Sequence, residues 1–359
     1  MRYPALQTLV EILPRLDQFD SIIDTRSPAE FAQDHIPGAI NCPVLNDEER
    51  ARVGTLYQQV SQFEAKKIGA ALVAHNIAHH IETCFQHHGH DWKPLIYCWR
   101  GGNRSAAMAH ILARIGWPAI QLEGGYKAYR QHVLNALNTL PIEFEYHVIC
   151  GPTGSGKSRL LQTMADNGAQ VLDLEQLAVH RGSLLGHLPN QPQPSQKLFE
   201  TRLWCALRGF NRSRPVYVES ESKKVGNLQI PETLIKAMRA ARCIDLQLAQ
   251  EHRVQLLMQD YDYFVHDPAS LNSQLEHLTY LHGREKVSEW QSLAANGQTQ
   301  ILVNDLLQRH YDPAYTRSIA RNFIQFTEAR KIQLPNITPA AFTKAAQTIS
   351  NYTNSAITN

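Results

Sequence analysis

Two short segments of the chain combine residue types suited to binding anions. The first is Cys98-Trp99-Arg100-Gly101-Gly102-Asn103-Arg104-Ser105, which follows the apolar run Leu95-Ile96-Tyr97 and enters the alanine-rich stretch Ala106-Ala107-Met108-Ala109. A cysteine at the carboxyl end of a strand and ahead of a helix lies where backbone N–H groups converge, and the helix dipole favours its thiolate. Gly101 and Gly102 permit the tight curvature of such a loop, and Arg100 and Arg104 can add positive charge. The second segment is Gly151-Pro152-Thr153-Gly154-Ser155-Gly156-Lys157-Ser158, between the strand signal Tyr146–Cys150 and the helical stretch Arg159-Leu160-Leu161. The Gly-x4-Gly-Lys-Ser spacing is that of a phosphate-binding loop. Its N–H groups (Gly151, Thr153, Gly154, Ser155, Gly156) face phosphate oxygens, Lys157 reaches the outer phosphate and Ser158 can ligate magnesium. One segment offers a thiol and the other a diphosphate cradle. Together they predict a chain that moves a chalcogen, sulfur or selenium, and also handles a phosphate or diphosphate ester.

Other residues extend these two sites. The run Val216-Tyr217-Val218-Glu219 reads as an acidic strand, so Glu219 or Glu221 could hold magnesium, with Asp173 at the end of another strand as the rival. His180 and Arg181, in His180-Arg181-Gly182-Ser183, could contact substrate phosphates, or the segment could be an ordinary capped turn. His75 and His79 have i,i+4 metal-ligand spacing, but no carboxylate or cysteine completes a set, and no structural metal is expected. Arg202, Arg208, Arg212, Arg214, Lys223 and Lys224 make a locally basic stretch that could grip an RNA backbone or simply be a charged face.

The elements that must position these residues alternate short strand signals with helical ones, an α/β pattern. At 359 residues, 43% of them hydrophobic, the chain is long enough for two domains. The net charge is +2, with 13 basic against 13 acidic residues over 1–140 and 22 against 20 in the remainder. Neither half is a basic block, so any nucleic-acid surface must be local. Six scattered cysteines (42, 84, 98, 150, 205 and 243) form no CxxC pair, which argues against a zinc ribbon or a disulfide framework. No apolar stretch approaches the roughly 18 residues of a membrane span, and the N-terminus lacks a signal peptide's apolar core. A soluble cytoplasmic protein is expected. Pro141 marks the boundary between a first domain over 1–138 and a parallel-sheet domain over 139–265. A helical extension follows over 266–335, then a polar, weakly packed tail over 336–359.

The first domain resembles the rhodanese family. Asp24-Thr25-Arg26-Ser27-Pro28-Ala29-Glu30-Phe31 looks like that family's first signature and His35-Ile36-Pro37-Gly38-Ala39-Ile40-Asn41 like its second. The loop from Cys98 to Ser105 is the third, and Gly124-Gly125-Tyr126 the fourth. Arg104 lies six residues after Cys98 instead of the usual five, which widens the ring of N–H donors and suits a tetrahedral oxyanion better than simple thiosulfate. The whole chain, rhodanese-like and then P-loop NTPase-like with a helical C-terminal region, resembles bacterial tRNA 2-selenouridine synthases. That resemblance implies replacement of sulfur by selenium in 2-thiouridine at wobble position 34 of tRNAs for lysine, glutamate and glutamine. Selenophosphate and geranyl diphosphate are the implied co-substrates, with magnesium accompanying the diphosphate and S-geranyl-2-thiouridine on the route. Cys98 would bind selenophosphate or carry selenium as Cys–S–Se⁻. Burial of a prenyl chain calls for an apolar groove, for which Trp99, Trp204, Leu184 and Leu185 are candidate liners. Two other readings fit the same motifs: an ATP-dependent tRNA sulfurtransferase, and a cysteine-dependent phosphatase fused to an NTPase.

Overall fold

The run Pro94–Tyr97 is buried along its whole length, as expected of a strand covered on both faces of a parallel sheet. The computed structural model describes residues 3–183, 185–189, 191–262 and 267–357. There this run is β4 of a five-stranded parallel sheet. The strands are β1 (Ala5–Gln7), β2 (Ser21–Asp24), β3 (Ala39–Asn41), β4 and β5 (Ile120–Leu122), in the order β1-β5-β4-β2-β3. Helices Asn103–Ile115 and Gly125–Thr139 follow β4 and β5. The polar insertion between β3 and β4 is a helical hairpin, Asp47–Gln59 and Gln62–His80. It is tied in by Ile77 and Phe85, which join Trp92, Met108 and Leu112 in the core.

The chain divides into two compact units, Met1–Ala136 and Leu137–Asn359. In the second, a five-stranded parallel sheet has the order β12-β11-β6-β8-β7. It uses β6 (Tyr146–Cys150), β7 (Gln170–Leu172), β8 (Val216–Glu219), β11 (Arg242–Leu248) and β12 (Arg330–Leu334). A small hairpin, β9 (Lys224–Val225) and β10 (Leu228–Gln229), stands apart. Helices between Pro268 and Asn322 build a separate buried cluster around Trp290.

The C-terminal stretch differs from its sequence expectation. Residues 336–359 read as a weakly packed tail, and the chain beyond Asp267 as helical only. Instead Arg330–Leu334 adds a strand beside β11, pairing Leu246 with Ile332 and Leu248 with Leu334. Helix Pro339–Ile357 buries Ala341, Phe342, Ala345, Ala346 and Ile349 against Leu160, Leu161 and Met164. The apolar stripe is helical in period, but alanines supply most of it. They let two helices approach closely while leaving the segment polar on average.

Candidate functional site

The cysteine loop is built from β4 outward. Cys98 is buried at the end of the strand, where the N–H groups of Tyr126 and Lys127 donate to the carbonyls of Cys98 and Trp99 at 2.8 and 2.9 Å. Ser105 Oγ donates to Cys98 Sγ at 3.2 Å, and Gln121 Nε2 donates to Gly101 O at 2.6 Å and to Ser105 Oγ at 3.1 Å. Ser105 Oγ also lies 3.2 Å from Gly102 O, and Gln121 fixes that serine beside the sulfur. The two glycine motifs of the sequence meet at this point. Gly125 has φ +53°, and a Cβ on it would lie 2.3 Å from Cys98 O and 2.5 Å from Gly101 N. Gly125→Ala should therefore lower stability by about 1–3 kcal/mol, read as a drop in Tm. Gly102→Ala, where an added Cβ meets nothing within 4 Å, should be close to neutral.

Arg104 reaches the loop differently from its expected role. Its Nη1 donates to Glu30 Oε2 at 2.7 Å, and Arg50 Nε approaches the same oxygen at 3.1 Å. Burial works to raise the Glu30 carboxyl, but the hydrogen bond and charge of Arg104 overcome it and hold the group below the ordinary carboxylate range. Glu30 also caps the helix Pro28–Gln33 by accepting from Ser27 N at 3.1 Å. The first signature thus orients the arginine of the third. Trp99 is half-buried with its ring 5.3 Å from that of Tyr126, Arg100 and Asn103 are exposed, and Gly102 caps the helix Asn103–Ile115.

In the second unit, β6 runs into the phosphate loop and then helix Lys157–Asp166, the strand–loop–helix order that an anion cradle needs. Lys157 Nζ donates to Gly151 O at 2.7 Å, folding back over the loop. Gly156 has φ +88°, and a Cβ there would lie 2.8 Å from Phe342 of the C-terminal helix, so the supposed tail buttresses the loop. Arg253 donates to Thr153 O at 2.9 and 2.7 Å and pairs with Asp312 at 2.6 Å, joining the loop to helix Asp312–Asn322. Gly151, Thr153, Gly154, Gly156, Lys157 and Ser158 line a cleft of about 1150 Å³ that is open to solvent. Ser155 is buried beneath them, its Oγ without a hydrogen-bond partner among the described residues.

The acidic residues sort differently from their expected ranking. Glu175 and Glu221 line the cleft, and Ser158 Oγ donates to Glu175 Oε2 at 2.9 Å. Asp173 instead caps the helix Leu174–Ala178 by accepting from Gln176 N at 2.8 Å. Glu219 is buried below the cleft; its Oε1 accepts from Glu175 N at 2.9 Å, and its Oε2 lacks a partner among the described residues. Neither Asp173 nor Glu219 lines the cleft. Arg181 does, whereas His180 is buried against His187, and burial drives its pKa down to about 4. His180 is therefore a neutral packing residue.

Magnesium commonly binds through one or two carboxylates plus substrate phosphates. Ser158, Glu175 and Glu221 beside Lys157 meet that requirement, and the Glu219 oxygen below them lacks a hydrogen-bond partner among the described residues. Among the described residues no group of three or more His, Cys, Asp or Glu side chains forms a ready ligand set, and no helix is long and apolar enough to cross a membrane.

The Glu221 carboxyl is pushed up from its ordinary 4.5 to about 8, first by burial and then by the charge of Glu175, with Lys157 opposing. The folded state thus favours its protonated form. That stability is complete below the ordinary carboxyl value and is lost as pH rises through the folded value. In ligand-free protein, Glu221→Gln should raise Tm at about pH 9 and change it little at about pH 5. An equal shift at both pH values would rule out titration of this group as the cause.

A small apolar pocket, partly open to solvent, adjoins the cleft. Thr153, Ser183, Leu257, Tyr261 and Tyr311 line both spaces. Of the liners expected from sequence, Leu185 is in the wall, Trp204 is buried in the core of helix Gln196–Gly209, and Leu184 lies outside the described residues. The cavity's other walls come from helices Gln250–Asp260, Pro268–Glu276 and Thr299–Leu306. The basic stretch is partly spent on the protein itself. Arg202 donates to Leu177 O, Arg212 pairs with Glu143, and Arg214 donates to Gly168 O.

Comparison with known proteins agrees with this division. A rhodanese-like domain profile matches residues 8–132, and the profile described as the tRNA 2-selenouridine synthase AAA domain matches 144–289. A tRNA 2-selenouridine synthase from Nitrosomonas europaea is 38% identical over 248 residues, covering 67% of this chain and 63% of its own length, just under two thirds. One from Alcanivorax borkumensis is 31% identical over 332 residues, covering 84% of this chain and 90% of its own. A third, from Shewanella sediminis, is 31% identical, with 82% and 86% covered. The order of the two domains, both anion loops and the near full-length match to the Alcanivorax protein agree: the chain belongs to the tRNA 2-selenouridine synthase family.

Proposed function

We propose that the protein exchanges sulfur for selenium at C2 of 2-thiouridine in the wobble position of tRNA, by way of an S-geranyl intermediate. The observation that carries this reading is that the phosphate-loop cleft adjoins an apolar pocket, the two sharing Thr153, Ser183 and Tyr311 in their walls. A diphosphate ester with an apolar tail fits such a pair of spaces, and burial of its tail stabilises binding by about 25 cal/mol per Å². The 2-thio sulfur attacks the prenyl carbon, the carbon–oxygen bond breaks, and diphosphate leaves into the N–H groups of the loop and Lys157. Magnesium held by Ser158 with Glu175 or Glu221 would neutralise that leaving charge. Alkylation turns the C2 sulfur into a neutral thiol leaving group. At the Cys98 loop the thiol would take the phosphoryl group of selenophosphate, breaking the P–Se bond and freeing selenide; selenide then attacks C2 and displaces geranylthiol, and water releases phosphate from the cysteine. The tRNAs for lysine, glutamate and glutamine are the proposed partners.

Mass spectrometry of wobble nucleosides from cells lacking the protein, grown with and without selenium, tests this. Both 2-selenouridine and S-geranyl-2-thiouridine should vanish, and persistence of both would overturn the reading. Titration of purified protein should show geranyl diphosphate binding more tightly than ATP. Tight magnesium-dependent ATP binding with tRNA-stimulated hydrolysis would favour the ATP-dependent sulfurtransferase.

A further inference from the structure

Strand β5 carries one polar side chain, Gln121, between Ile120 and Leu122. Its backbone is held on both sides, paired with Leu6 of β1 and Ile96 of β4, and the residue is buried. The Cys98 loop comes within its reach because Gly101, at φ +65°, packs so closely on β5 that an added Cβ would lie 2.5 Å from Leu122 O. Gln121 Nε2 donates to Gly101 O at 2.6 Å and to Ser105 Oγ at 3.1 Å. A carbonyl only accepts, so the contact with Gly101 O fixes which end of the amide faces the loop, and both amide hydrogens are engaged. Ser105 is fully buried, and its hydroxyl has a single hydrogen. With Gln121 donating to the oxygen, that hydrogen is left for Gly102 O or Cys98 Sγ, each 3.2 Å away. Once the sulfur gives up its proton it is the charged acceptor of the two, and it takes the stronger bond.

We infer that Gln121 is a positioning residue for the Cys98 thiol: it holds the Ser105 hydroxyl with its hydrogen toward the sulfur and so prepares the sulfur to attack phosphorus. This role rests on the reading above in which Cys98 takes the phosphoryl group of selenophosphate. In that step the S–P bond forms, the P–Se bond breaks, and the thiol proton leaves with the selenium as HSe⁻. Water then cleaves the S–P bond, which restores the thiol and releases hydrogen phosphate. Gln121 acts through Ser105, so its effect should vanish once the serine hydroxyl is removed. A carboxylate in its place would reverse the polarity. It would face Gly101 O with a lone pair and draw the Ser105 hydrogen away from the sulfur.

The test uses the full chain and two probes. Iodoacetamide, with peptide mass spectrometry at Cys98, reads the reactivity of the thiol whatever its substrate. Selenophosphate, followed by phosphate release, gives kcat and KM. Gln121→Met keeps the length of the side chain and Gln121→Glu its shape. Each should slow alkylation and lower kcat by about 10-fold or more, with KM within about 3-fold of native. Ser105→Ala should slow both processes to a similar degree, and adding Gln121→Met to it should cost less than about 2-fold more. Ser105→Thr, which keeps the hydroxyl, should stay within about 3-fold of native. Native alkylation and kcat in Gln121→Glu would overturn the role. So would losses that multiply in the double variant, since they would leave Gln121 only the task of holding Gly101. If Cys98→Ser releases phosphate from selenophosphate as fast as native protein, the phosphoryl-transfer reading fails, and the alkylation rates still decide the role of Gln121.

Discussion

Cys98→Ser should abolish formation of 2-selenouridine while S-geranyl-2-thiouridine continues to form. The replacement is nearly isosteric and keeps a group able to accept from Ser105 Oγ, which lies 3.2 Å from the sulfur. What it removes is the thiol nucleophile, and a hydroxyl is too weak a nucleophile to take the phosphoryl group of selenophosphate and free selenide. The phosphate loop lies in the other compact unit, within a core of its own, and the proposed prenyl step uses no thiol. The measurement is nucleoside mass spectrometry on tRNA incubated with purified variant, geranyl diphosphate and selenophosphate. Loss of both products, with an unchanged Tm, would mean that the steps share the cysteine. Retention of selenation would mean that the loop serves as an anion cradle only, and that selenium passes to C2 without the thiol.

The strand–loop–helix form of both segments was legible in the sequence because each is a local device. A strand, a glycine-rich turn and a helix start occupy about a dozen consecutive residues, and the physics of converging N–H groups fixes their order. The partners of those loops were not legible, because they are brought in from far along the chain. Glu30 lies 74 residues from Arg104, Arg253 lies 100 from Thr153, and Phe342 packs on Gly156 from the far end of the chain. Glu175 was overlooked in favour of Asp173 and Glu219. Position at a strand end favours the latter two, but a strand-end carboxylate can equally cap a helix, as Asp173 does, or sink into the core, as Glu219 does. Only tertiary packing decides among these outcomes.

The apolar cavity shows the same limit. The groove was sought in Trp99, Trp204, Leu184 and Leu185; Leu185 is in the wall, whereas Trp204 is used in the core. The walls are aliphatic residues on helices whose periodicity signals burial without saying whether a helix faces another helix or a space. The C-terminal helix was hidden for a related reason: alanines at 341, 345 and 346 contribute little hydropathy but allow close packing on Leu160 and Met164.

Lys157→Ala should reduce prenyl transfer by on the order of 100-fold or more, the scale of losing one preorganised donor to a developing negative charge. Lys157 Nζ rests on Gly151 O at 2.7 Å and also faces Glu175 and Glu221, whose carboxyls its charge pulls downward. On the proposed reading the lysine has two electrostatic duties: it meets the outer phosphate, and it offsets the charge of Glu175 and Glu221, which would otherwise repel a diphosphate. Removing it loses the attraction and exposes the repulsion, so binding and transfer should both fall. Added magnesium should restore binding only in part, because the cation can neutralise the carboxylates but does not occupy the lysine's position over the loop. The discriminating measurement supplies tRNA that already carries the S-geranyl group. Selenation of that substrate should proceed at close to the native rate, since it needs neither the cradle nor the lysine. If the variant fails to selenate it while keeping the native Tm, the two half-reactions depend on one shared site, and the division of labour between the thiol loop and the phosphate loop is wrong.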